Sequence, residues 1–455
     1  MAHKYLARCS KKMALTTPLE IYLLTFNCAR TLIDPTLLGA SFFSAWRKQK
    51  TDLPDVVAVS LQEVAPIAYS FLGESWIAPY LQRVEDSLRV ASKERGDGAA
   101  YERVATHSVG MTTALVFVKK ELRSAVRSIE TAGVGVGVWE MGNKGGVGIR
   151  LDVDATELTF VAMHLAPMEG YVERRNQDWQ DICRGLVFRS DNSSGTAGTE
   201  TEPLLAGSKR TASGLYKPKS HIFLFGDLNY RTSHLSPTET AHKTFPQPSL
   251  PDSSSNRIPL SELLTRDQLT LERQEGRTLH GFEEAPIKFP PTYKYSHSRS
   301  DVPGPQAAKG DAATADEEDD ESAVVQEPSL WSWAKHRWPS WCDRILWYPP
   351  SGVNAGVYTA LPLLPSSDHR PVALHITLQR GRQSEEVEND LRKAPPFALD
   401  EHWHSRRAAA RRYEIVVGIA SWFALTTEGQ ATVAGLIGGA LAVYFLVQVF
   451  GQGVS

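Results

Sequence analysis

Short apolar runs, each bounded by polar or turn-forming residues, recur through most of the chain and predict buried β-strands. The runs cover residues 21–26, 56–61, 112–118, 146–153, 158–163, 221–225 and 372–378. Between them, apolar residues at helical spacing predict amphipathic helices over residues 37–50, 76–90 and 171–188. Strands that alternate with helices in this way are typical of the α/β class, which is the fold class we expect.

Two polar stretches without periodicity interrupt this body. Residues 190–220 are rich in Ser, Thr and Gly, and residues 300–329 contain the acidic run Asp316–Glu321. Such compositions cannot bury enough apolar surface to fold, so both stretches are predicted to be disordered inserts. The acidic run is interpreted as a solvated tract rather than a metal site. Residues 1–17 are predicted to be a flexible lead.

The C-terminal part predicts a membrane anchor. A charged linker, residues 379–412, ends in an arginine cluster, and residues 431–451 follow without a single charge. As a helix these 21 residues would span about 30 Å, the thickness of a hydrocarbon core. The apolar part of residues 413–430 is too short to span and is predicted to be interfacial, with a helical lead-in to the span as the alternative. The upstream arginines favour an orientation with the large body in the cytosol.

Composition and charge exclude several classes of protein. Of the 455 residues, 42% are hydrophobic, which supports a sizeable core, and the net charge of −3 gives no basic field for a nucleic acid partner. The four cysteines are scattered and none forms a C-x-x-C pair. This pattern favours a reducing compartment and argues against structural zinc or a disulfide framework.

Polar residues able to bind a metal or carry a proton lie at the ends of the predicted strands. Four of them directly follow an apolar run, namely Asn27, Glu63, His164 and Asp227. Asp368 and His369 instead precede the last strand. If that strand runs antiparallel to the others, all six residues meet at one edge of a sheet. Each alone could be a turn, a cap or a hydrogen-bonded core residue.

The chemistry that fits these residues is phosphoryl transfer to water. If the chain stays extended, Asp227 and Asn229 point to the same side, where Asp227 would take a proton from water and Asn229 would orient that water. An Asp-x-Asn turn is the alternative. Glu63 offers an oxygen ligand to Mg²⁺, the cofactor we expect. His164 and His369 would donate hydrogen bonds to phosphate oxygens.

Other phosphate chemistries are disfavoured. The one Cys-x5-Arg spacing, Cys183 to Arg189, begins inside the helix predicted over 171–188 and not in a loop, which argues against a cysteine phosphatase. The glycine-rich segment 133–146 lacks the G-K-[ST] ending of a nucleotide-binding loop, and its Asn143 and Lys144 are better placed to meet a phosphate directly.

Two long motifs resemble those of the Mg²⁺-dependent inositol polyphosphate 5-phosphatases, within the endonuclease/exonuclease/phosphatase superfamily. Residues 223–231, FLFGDLNYR, match F-W-x-G-D-x-N-[YF]-R, and residues 337–346, RWPSWCDRIL, match R-x-P-[SA]-W-C-D-R-[IV]-L. Shorter supporting segments occur in family order at 26–27, 62–63, 143–146, 164–165, 175–176, 291–295 and 367–371. The resemblance covers residues 18–378 as a catalytic domain.

The resemblance implies a four-layer sandwich of two packed mixed β-sheets flanked by helices, to which the C-terminal transmembrane helix is added. It also implies that the Asp343 carboxylate lies behind the His369 ring and fixes its tautomer. Metal binding is expected from Glu63, Asn27 and Asp368. Substrate contacts are expected from a larger set: Asn143, Lys144, Arg175, Asn176, Tyr293, Lys294, Lys335 and Arg337. The last four would hold a 4-phosphate, so a 4,5-bisphosphate head group is the implied substrate.

The resemblance has departures and leaves rivals. The frequent H-L-A-A-H is His164-Leu-Ala-Pro-Met168 here, and Leu224 replaces a tryptophan. The tail anchor resembles that of a fungal family member held at the endoplasmic reticulum. We therefore expect membrane phosphatidylinositol 4,5-bisphosphate as the substrate at the cytoplasmic face of that membrane. The sequence leaves open whether soluble inositol polyphosphates are hydrolysed as well. The alternatives are a sphingomyelinase-like or endonuclease-like hydrolase and a catalytically silent membrane-tethered phosphoinositide binder.

Overall fold

The structure, a computed structural model, describes residues 17–46, 53–96, 100–190, 213–246, 257–296, 332–349, 352–379 and 390–451. Several predicted segments fall outside this part of the chain. They are the flexible lead up to residue 16, residues 191–212 of the first insert, the whole of the second insert at 300–329, and residues 380–389 of the linker.

Two six-stranded sheets form the body of the molecule. The first has the order β13-β14-β1-β2-β4-β3. Its strands are β1 (Leu19–Asn27), β2 (Val56–Gln62), β3 (Tyr101–Val109), β4 (Thr112–Lys119), β13 (Val353–Ala360) and β14 (Val372–Leu378). The second has the order β12-β9-β7-β6-β5-β8. Its strands are β5 (Val126–Gly135), β6 (Gly145–Val153), β7 (Thr156–His164), β8 (Arg189–Ser190), β9 (His221–Asp227) and β12 (Asp343–Trp347). A short ribbon pairs β10 (Tyr295–Ser296) with β11 (Ser332–Trp333).

Strand direction brings the polar strand ends together. Strand β1 is parallel to β2 and β7 is parallel to β9, so each pair ends at the same edge of its sheet. Strand β14 runs antiparallel to β1, as expected, with Leu19 opposite Leu378. Strand β12 runs antiparallel to β9 and places Asp343 directly opposite Asp227.

The predicted four layers are confirmed. Apolar side chains of both sheets interdigitate in a central core, for example Ile21 and Leu23 of β1 with Ile149 of β6 and Phe225 of β9. Each sheet also has one outer core, which lies between that sheet and the helices that cover it. The helices are α1 (Pro35–Ser41), α2 (Ile67–Leu72), α3 (Glu74–Glu94), α4 (Val172–Gly185), α5 (Leu260–Leu264), α6 (Gln268–Gln274), α7 (Trp403–Leu425) and α8 (Thr427–Gly451).

Some elements differ from the sequence-based expectations. Residues 47–50 of the helix predicted over 37–50 lie outside the described residues. Before them the structure has the shorter α1, which starts at Pro35 because the Asp34 carboxylate caps its first amides. Strands β3, β5, β12 and β13 were not predicted, since β3 and β5 are largely half-exposed and lack a clean apolar run. Residues 213–220 of the predicted first insert are packed, with Leu215 and Tyr216 buried in the outer core.

The C-terminal part also differs from the expected flexible linker. Helix α7 runs without a break across residue 412 and packs on α2, where Gly418 lies against Phe71. The absence of a side chain at Gly418 allows this close approach: a Cβ there would lie 3.0 Å from the Phe71 Cβ. Helix α8 follows after Thr426 and is exposed along its described length. Its residues Thr427–Val449 are long and apolar enough to cross a membrane, as judged by length and composition.

Candidate active site

A cavity of about 320 Å³ opens where β1, β2, β7 and β9 end and β14 begins. Its walls come from separate parts of the chain that the fold brings together. Ten of the residues expected at the site line it: Asn27, Glu63, Lys144, His164, Asp227, Asn229, Tyr293, Lys294, Asp368 and His369.

Asp227, at the end of β9, is the centre of the hydrogen-bond network. Its Oδ2 accepts a hydrogen bond from Asn27 Nδ2 at 2.9 Å, and its Oδ1 accepts one from the backbone N–H of Asn229 at 3.1 Å. The Nε2 atoms of His164 and His369 lie 3.4 Å and 3.9 Å from Oδ2. The carboxylate is therefore buried but surrounded by groups that favour its charged form.

His369 is held by a second buried carboxylate. Its Nδ1 lies 2.9 Å from Asp343 Oδ2, and the same oxygen accepts a hydrogen bond from Thr292 Oγ1 at 2.7 Å. The Ser367 hydroxyl accepts from the His369 backbone N–H. Because Asp343 lies on β12 opposite Asp227, the ring bridges two carboxylates and presents Nε2 to the cavity.

The charges of these groups follow from their surroundings. Burial would raise the pKa of Asp227, but the hydrogen bond from His164 and the nearby His369 lower it below its ordinary value. Burial would lower the pKa of His369, but Asp343 and Asp227 raise it from 6.5 to about 9. Burial and the neighbouring Lys144 lower the pKa of His164. At neutral pH, Asp227 is thus an anion, His369 a cation and His164 a neutral ring.

Asn229 adopts the alternative conformation considered for it. The chain does not stay extended, because Asn229 has a φ of 56° and its amide closes a turn onto Asp227. Its Nδ2 donates to the Leu165 carbonyl, and its Oδ1 accepts from Arg231. Asn229 still lines the cavity, but its carboxamide is engaged in holding the β7 and β9 ends together.

The opposite wall carries oxygen ligands and cations. Glu63, with a φ of 45°, directs its carboxylate between Arg30 Nε at 3.1 Å and Lys144 Nζ at 3.8 Å. Asp368 pairs with Lys294 Nζ at 2.6 Å. The carboxylates of Glu63, Asp227 and Asp368 thus face one cavity. A donor set of carboxylate and amide oxygens fits a hard divalent cation such as Mg²⁺.

A different trio, Asp227, Asp343 and His369, is also close enough to share an ion, with ligand atoms within 4.8 Å of one another. The hydrogen bonds argue against that use. Asp343 Oδ2 already accepts from Thr292 and contacts His369 Nδ1, and the raised pKa keeps the His369 ring protonated. A protonated ring cannot ligate a metal, so the hydrogen bonds favour the oxygen donors on the side of Glu63 for a cation.

Five of the expected substrate residues lie away from the cavity lining. Arg175 is fully buried and donates to the carbonyls of Ala166 and Met168, which shapes the loop after His164. Asn176 is engaged by Glu272 and Tyr230. Both are therefore corrected from substrate contacts to supporting residues: Arg175 holds the loop after His164, and Asn176 joins α4 to residues 230 and 272. Their motif brings them near the site in sequence, but α4 directs their side chains into the protein.

The other three residues flank the cavity. The Asn143 Oδ1 is buried, within 1.8 Å of where a Cβ on Gly137 would be, so this atom faces the glycine-rich segment. Arg337 contacts the Met168 sulfur at 3.2 Å and Glu169 at 3.7 Å. Lys335 is exposed, next to Ala334, whose amide donates to the Lys294 carbonyl.

Six residues that line the cavity were not singled out from the sequence, and three of them make side-chain contacts within the site. Arg30 pairs with Glu63. Ser367 donates to the Asn27 carbonyl and accepts from the His369 amide, so it ties two strand ends together. Arg231 lies with its guanidinium 4.3 Å from the Tyr293 ring centre. Arg231 belongs to the motif at 223–231 and Ser367 to the segment at 367–371, so membership of these motifs could have predicted both as site residues.

Comparison with known proteins places this arrangement in a family. Residues 24–375 match the family described as Endonuclease/Exonuclease/phosphatase family 2, and the chain belongs to it. It is 27% identical over 360 residues to the type II inositol polyphosphate 5-phosphatase 14 of Arabidopsis thaliana, a match that covers 70% of this chain and 27% of that protein. It is 28% identical over 330 residues to the type II inositol 1,4,5-trisphosphate 5-phosphatase of Mus musculus, covering 72% and 27%. The chain thus spans about a quarter of the length of these relatives.

Solved structures support the fold. The inositol polyphosphate 5-phosphatase domain of SPsynaptojanin, in complex with inositol (1,4)-bisphosphate and calcium ion, aligns with a TM-score of 0.56 at 22% identity and covers 92% of this chain and 98% of that one. A Cimex nitrophorin in its ferrous NO complex aligns at 0.50 with 16% identity, covering 80% and 99%. The same fold thus occurs in proteins of different function. The function of this chain must therefore be inferred from the side chains of its site.

Proposed function

We propose that this protein hydrolyses the 5-phosphate of phosphatidylinositol 4,5-bisphosphate in a Mg²⁺-dependent reaction at a cytosol-facing membrane. The observation that carries the proposal is the buried Asp227 carboxylate, set between His164 and the His369–Asp343 pair at a cavity with two lysines. The relatives are inositol polyphosphate 5-phosphatases, which supports the same class of substrate.

The cation would be held by Glu63, with Asn27 and Asp368 as neighbouring oxygen donors. When bound, it supplies positive charge that polarises the phosphate and offsets the charge of the leaving oxygen. Because Asn27 also donates to Asp227, it links the metal side of the cavity to the proton-accepting side.

Asp227 accepts the proton of the attacking water. Its lowered pKa keeps it ionised, so it first orients the water as a hydrogen-bond acceptor and takes the proton as the new P–O bond makes the water more acidic. The protonated His369 donates from Nε2 to a phosphate oxygen, and Asp343 holds the ring for that task. Neutral His164 has a single N–H, which its Nε2 directs at Asp227, so it holds the carboxylate in place for the water.

The lysines of the cavity fit a doubly phosphorylated ring. Lys144 next to Glu63 would meet the phosphate that reacts, and Lys294 with Tyr293 would meet the neighbouring 4-phosphate. Lys335 and Arg337 flank the cavity and would contribute long-range attraction rather than direct contact. Soluble inositol polyphosphates carry the same phosphates and would compete for the site.

Helix α8 would anchor the protein as a C-terminal tail. The arginines at 406, 407, 411 and 412 precede it and favour a cytosolic position for the catalytic body. The endoplasmic reticulum is the membrane we propose, on the resemblance of the tail.

The deciding experiment uses the full-length protein in detergent micelles with Mg²⁺. Phosphate release is measured from phosphatidylinositol 4,5-bisphosphate, phosphatidylinositol 4-phosphate and inositol 1,4,5-trisphosphate, with Asp227→Ala as the matched variant. We expect release from the first and third only, a loss on the order of 10²–10⁴-fold in the variant, and loss of activity with a chelator that Mg²⁺ restores.

Two rivals predict other results. A sphingomyelinase-like or endonuclease-like hydrolase would release nothing from these substrates but would cleave a phosphodiester. A silent phosphoinositide binder would bind the lipid equally well with and without Asp227 and release nothing. The intact set of proton-carrying groups around Asp227 favours the phosphatase.

A further inference from the structure

Helix α7 lies outside residues 24–375, the part of the chain that matches the family, yet it contacts the loop that leads into the cavity. Its Glu414 has a fully buried side chain, and Glu414 Oε1 accepts a hydrogen bond from the backbone N–H of Gly142 at 2.8 Å. Gly142 precedes by two residues Lys144, which lines the cavity. A buried carboxylate on the helix next to the anchor therefore contacts the loop of a proposed phosphate-binding lysine.

The Glu414 carboxylate is held firmly by its own helix. Arg407 Nη1 donates to Oε1 at 2.7 Å, and Arg411 Nη1 lies 3.3 Å from Oε2. Arg411 also donates to the Phe71 carbonyl at 2.7 Å, which fixes α7 on α2. A buried carboxylate with this many charged donors has little freedom to move, so the Gly142 amide meets a fixed acceptor.

The loop around Gly142 also makes hydrogen bonds on the side that faces away from α7. The Gly142 carbonyl accepts from the Met111 amide at 2.9 Å, at the β3–β4 turn, and the Lys144 carbonyl accepts from Val136 at 2.8 Å. The backbones at this turn are in close contact: a Cβ on Gly142 would lie 2.7 Å from the Gly110 nitrogen. The segment from Gly142 to Lys144 thus lies between the β3–β4 turn and α7.

Two further contacts join α7 to residues 139 and 140, at the start of the loop. Arg406 of α7 bonds to Glu140, and the Tyr413 ring lies 5.3 Å from the Trp139 ring. Together with Glu414, these residues hold one side of α7 against residues 139–142.

We propose that Glu414 is a positioning residue that holds Lys144 in place through Gly142, so that the helix leading into the anchor is part of the catalytic unit. The proposal rests on the proposed function and deepens it. Lys144 Nζ lies 3.8 Å from Glu63, and its ammonium can meet a phosphate next to a metal on Glu63 only while the loop keeps this position.

The test uses the full-length protein in detergent micelles with Mg²⁺ and soluble inositol 1,4,5-trisphosphate, so that access to a membrane plays no part. Glu414→Leu removes the acceptor, and Glu414→Gln keeps a carbonyl oxygen in its place. We expect kcat/KM to fall by roughly 10- to 100-fold for the leucine variant, because small misplacements of a contacting group cost that much. The glutamine variant should recover most of this loss. Glu401→Gln, an exposed carboxylate just before α7, should match the wild type.

Two further readouts separate positioning from general destabilisation. In a Lys144→Ala background, Glu414→Leu should lower kcat/KM little further, because both changes act on the same contact. Hydrogen exchange should become faster for the Gly142 amide in Glu414→Leu and stay slow in Glu414→Gln. Multiplicative losses in the double variant would overturn the proposal.

A folded Glu414→Leu variant with wild-type kcat/KM and wild-type exchange at Gly142 would also overturn it. If the leucine variant fails to fold, Glu414→Asp decides, since it keeps the charge for both arginines but withdraws the carboxylate by one methylene. A folded Glu414→Asp with unchanged activity and exchange would contradict the proposal. A wild-type protein inactive on every inositol phosphate would instead overturn the proposed function, and the exchange measurement would then decide the role of Glu414.

Discussion

The Asp227 carboxylate is buried and charged, yet its direct partners among the described residues are two histidines, the Asn27 side chain and the Asn229 amide. None of these is a lysine or arginine. A directly paired guanidinium would hold both oxygens and leave none for water. Weaker donors keep the carboxylate ionised and still leave it able to accept a proton, which suits a group that must bind and deprotonate water.

His369 should make the stability of the protein depend on pH. Its pKa is raised from 6.5 to about 9 in the folded protein, so its charge–charge stabilisation is fully present below 6.5 and is lost as the pH rises toward 9. We expect the difference in free energy of unfolding between wild type and His369→Gln to be larger at about pH 6 than at about pH 9. Denaturant titrations with a chelator present would measure it. A difference that is constant with pH would contradict the assigned charge.

Lys294 should provide discrimination for the 4-phosphate. Because a hydrogen bond to a charged group is worth about 1.5–3 kcal/mol, Lys294→Ala should lower kcat/KM roughly 10- to 100-fold on substrates that carry this phosphate. The loss should be smaller on phosphatidylinositol 5-phosphate, which lacks it. Lys335→Ala, a lysine outside the cavity lining, is the matched control and should change little. Equal losses on both substrates would refute the assignment.

At the scale of elements, β12 joins the catalytic edge to the outer layer. Asp343 at its start bonds to His369 of the cavity, and the next residue, Arg344, points the other way and is fully buried. Arg344 bonds to Asp267, which caps α6, at 2.9 Å and to Glu284 at 2.7 Å. The alternation of side chains along one strand thus serves catalysis on one face and stability on the other.

Removal of the Arg344 guanidinium should strongly destabilise the fold. Arg344→Met leaves two buried carboxylates without their cation, which costs about 3–5 kcal/mol in free energy of unfolding. Arg266→Met, which removes an exposed pair with Glu262, should cost about 0–1 kcal/mol. Chemical unfolding of both variants gives the comparison. Similar costs for the two would show that the buried network contributes no more than a surface pair.

For the whole molecule, the body and α8 are joined by a helix, α7, that packs on the body. Helix α7 packs on α2 and against residues 139–142, and α8 begins after the single residue Thr426, whose hydroxyl accepts from the Gly429 amide. The position of the catalytic cavity relative to α7 is therefore fixed by packing.

A chain ending at Leu425 should separate anchoring from catalysis. It keeps α7 with Glu414 and removes α8, so we expect loss of binding to vesicles of neutral lipid in a flotation assay. Hydrolysis of inositol 1,4,5-trisphosphate should stay within about twofold of the wild type, since α8 contacts none of the cavity-lining residues in the part of the chain that the structure describes. Retention on vesicles at the wild-type level would show that α8 is not the anchor. A control chain ending at Ala410 removes Glu414 and should lose activity on the soluble substrate.

The sequence by itself determined the strands with continuous apolar runs, the α/β class and the residues at the strand ends. These features are local: an apolar run followed by Asn27, Glu63, His164 or Asp227 is visible without any knowledge of pairing. Two long motifs then indicated the family and the partner of His369. The half-exposed strands β3 and β5 escaped prediction because their burial depends on neighbours that are distant in sequence.

The tertiary structure alone decided which polar residues share the cavity. Arg175 and Asn176 belong to a family motif, but α4 buries Arg175 against the loop after His164 and directs Asn176 to Glu272 and Tyr230. Asn229 turns rather than extends because Asp227 and Leu165 offer hydrogen-bond partners from two strands. Glu414 gave no signal at all, since its partner Gly142 lies 272 residues away. Hydrophobic patterning is set by near neighbours, whereas the side-chain contacts that define the site are set by packing between distant segments, and only the folded chain contains them.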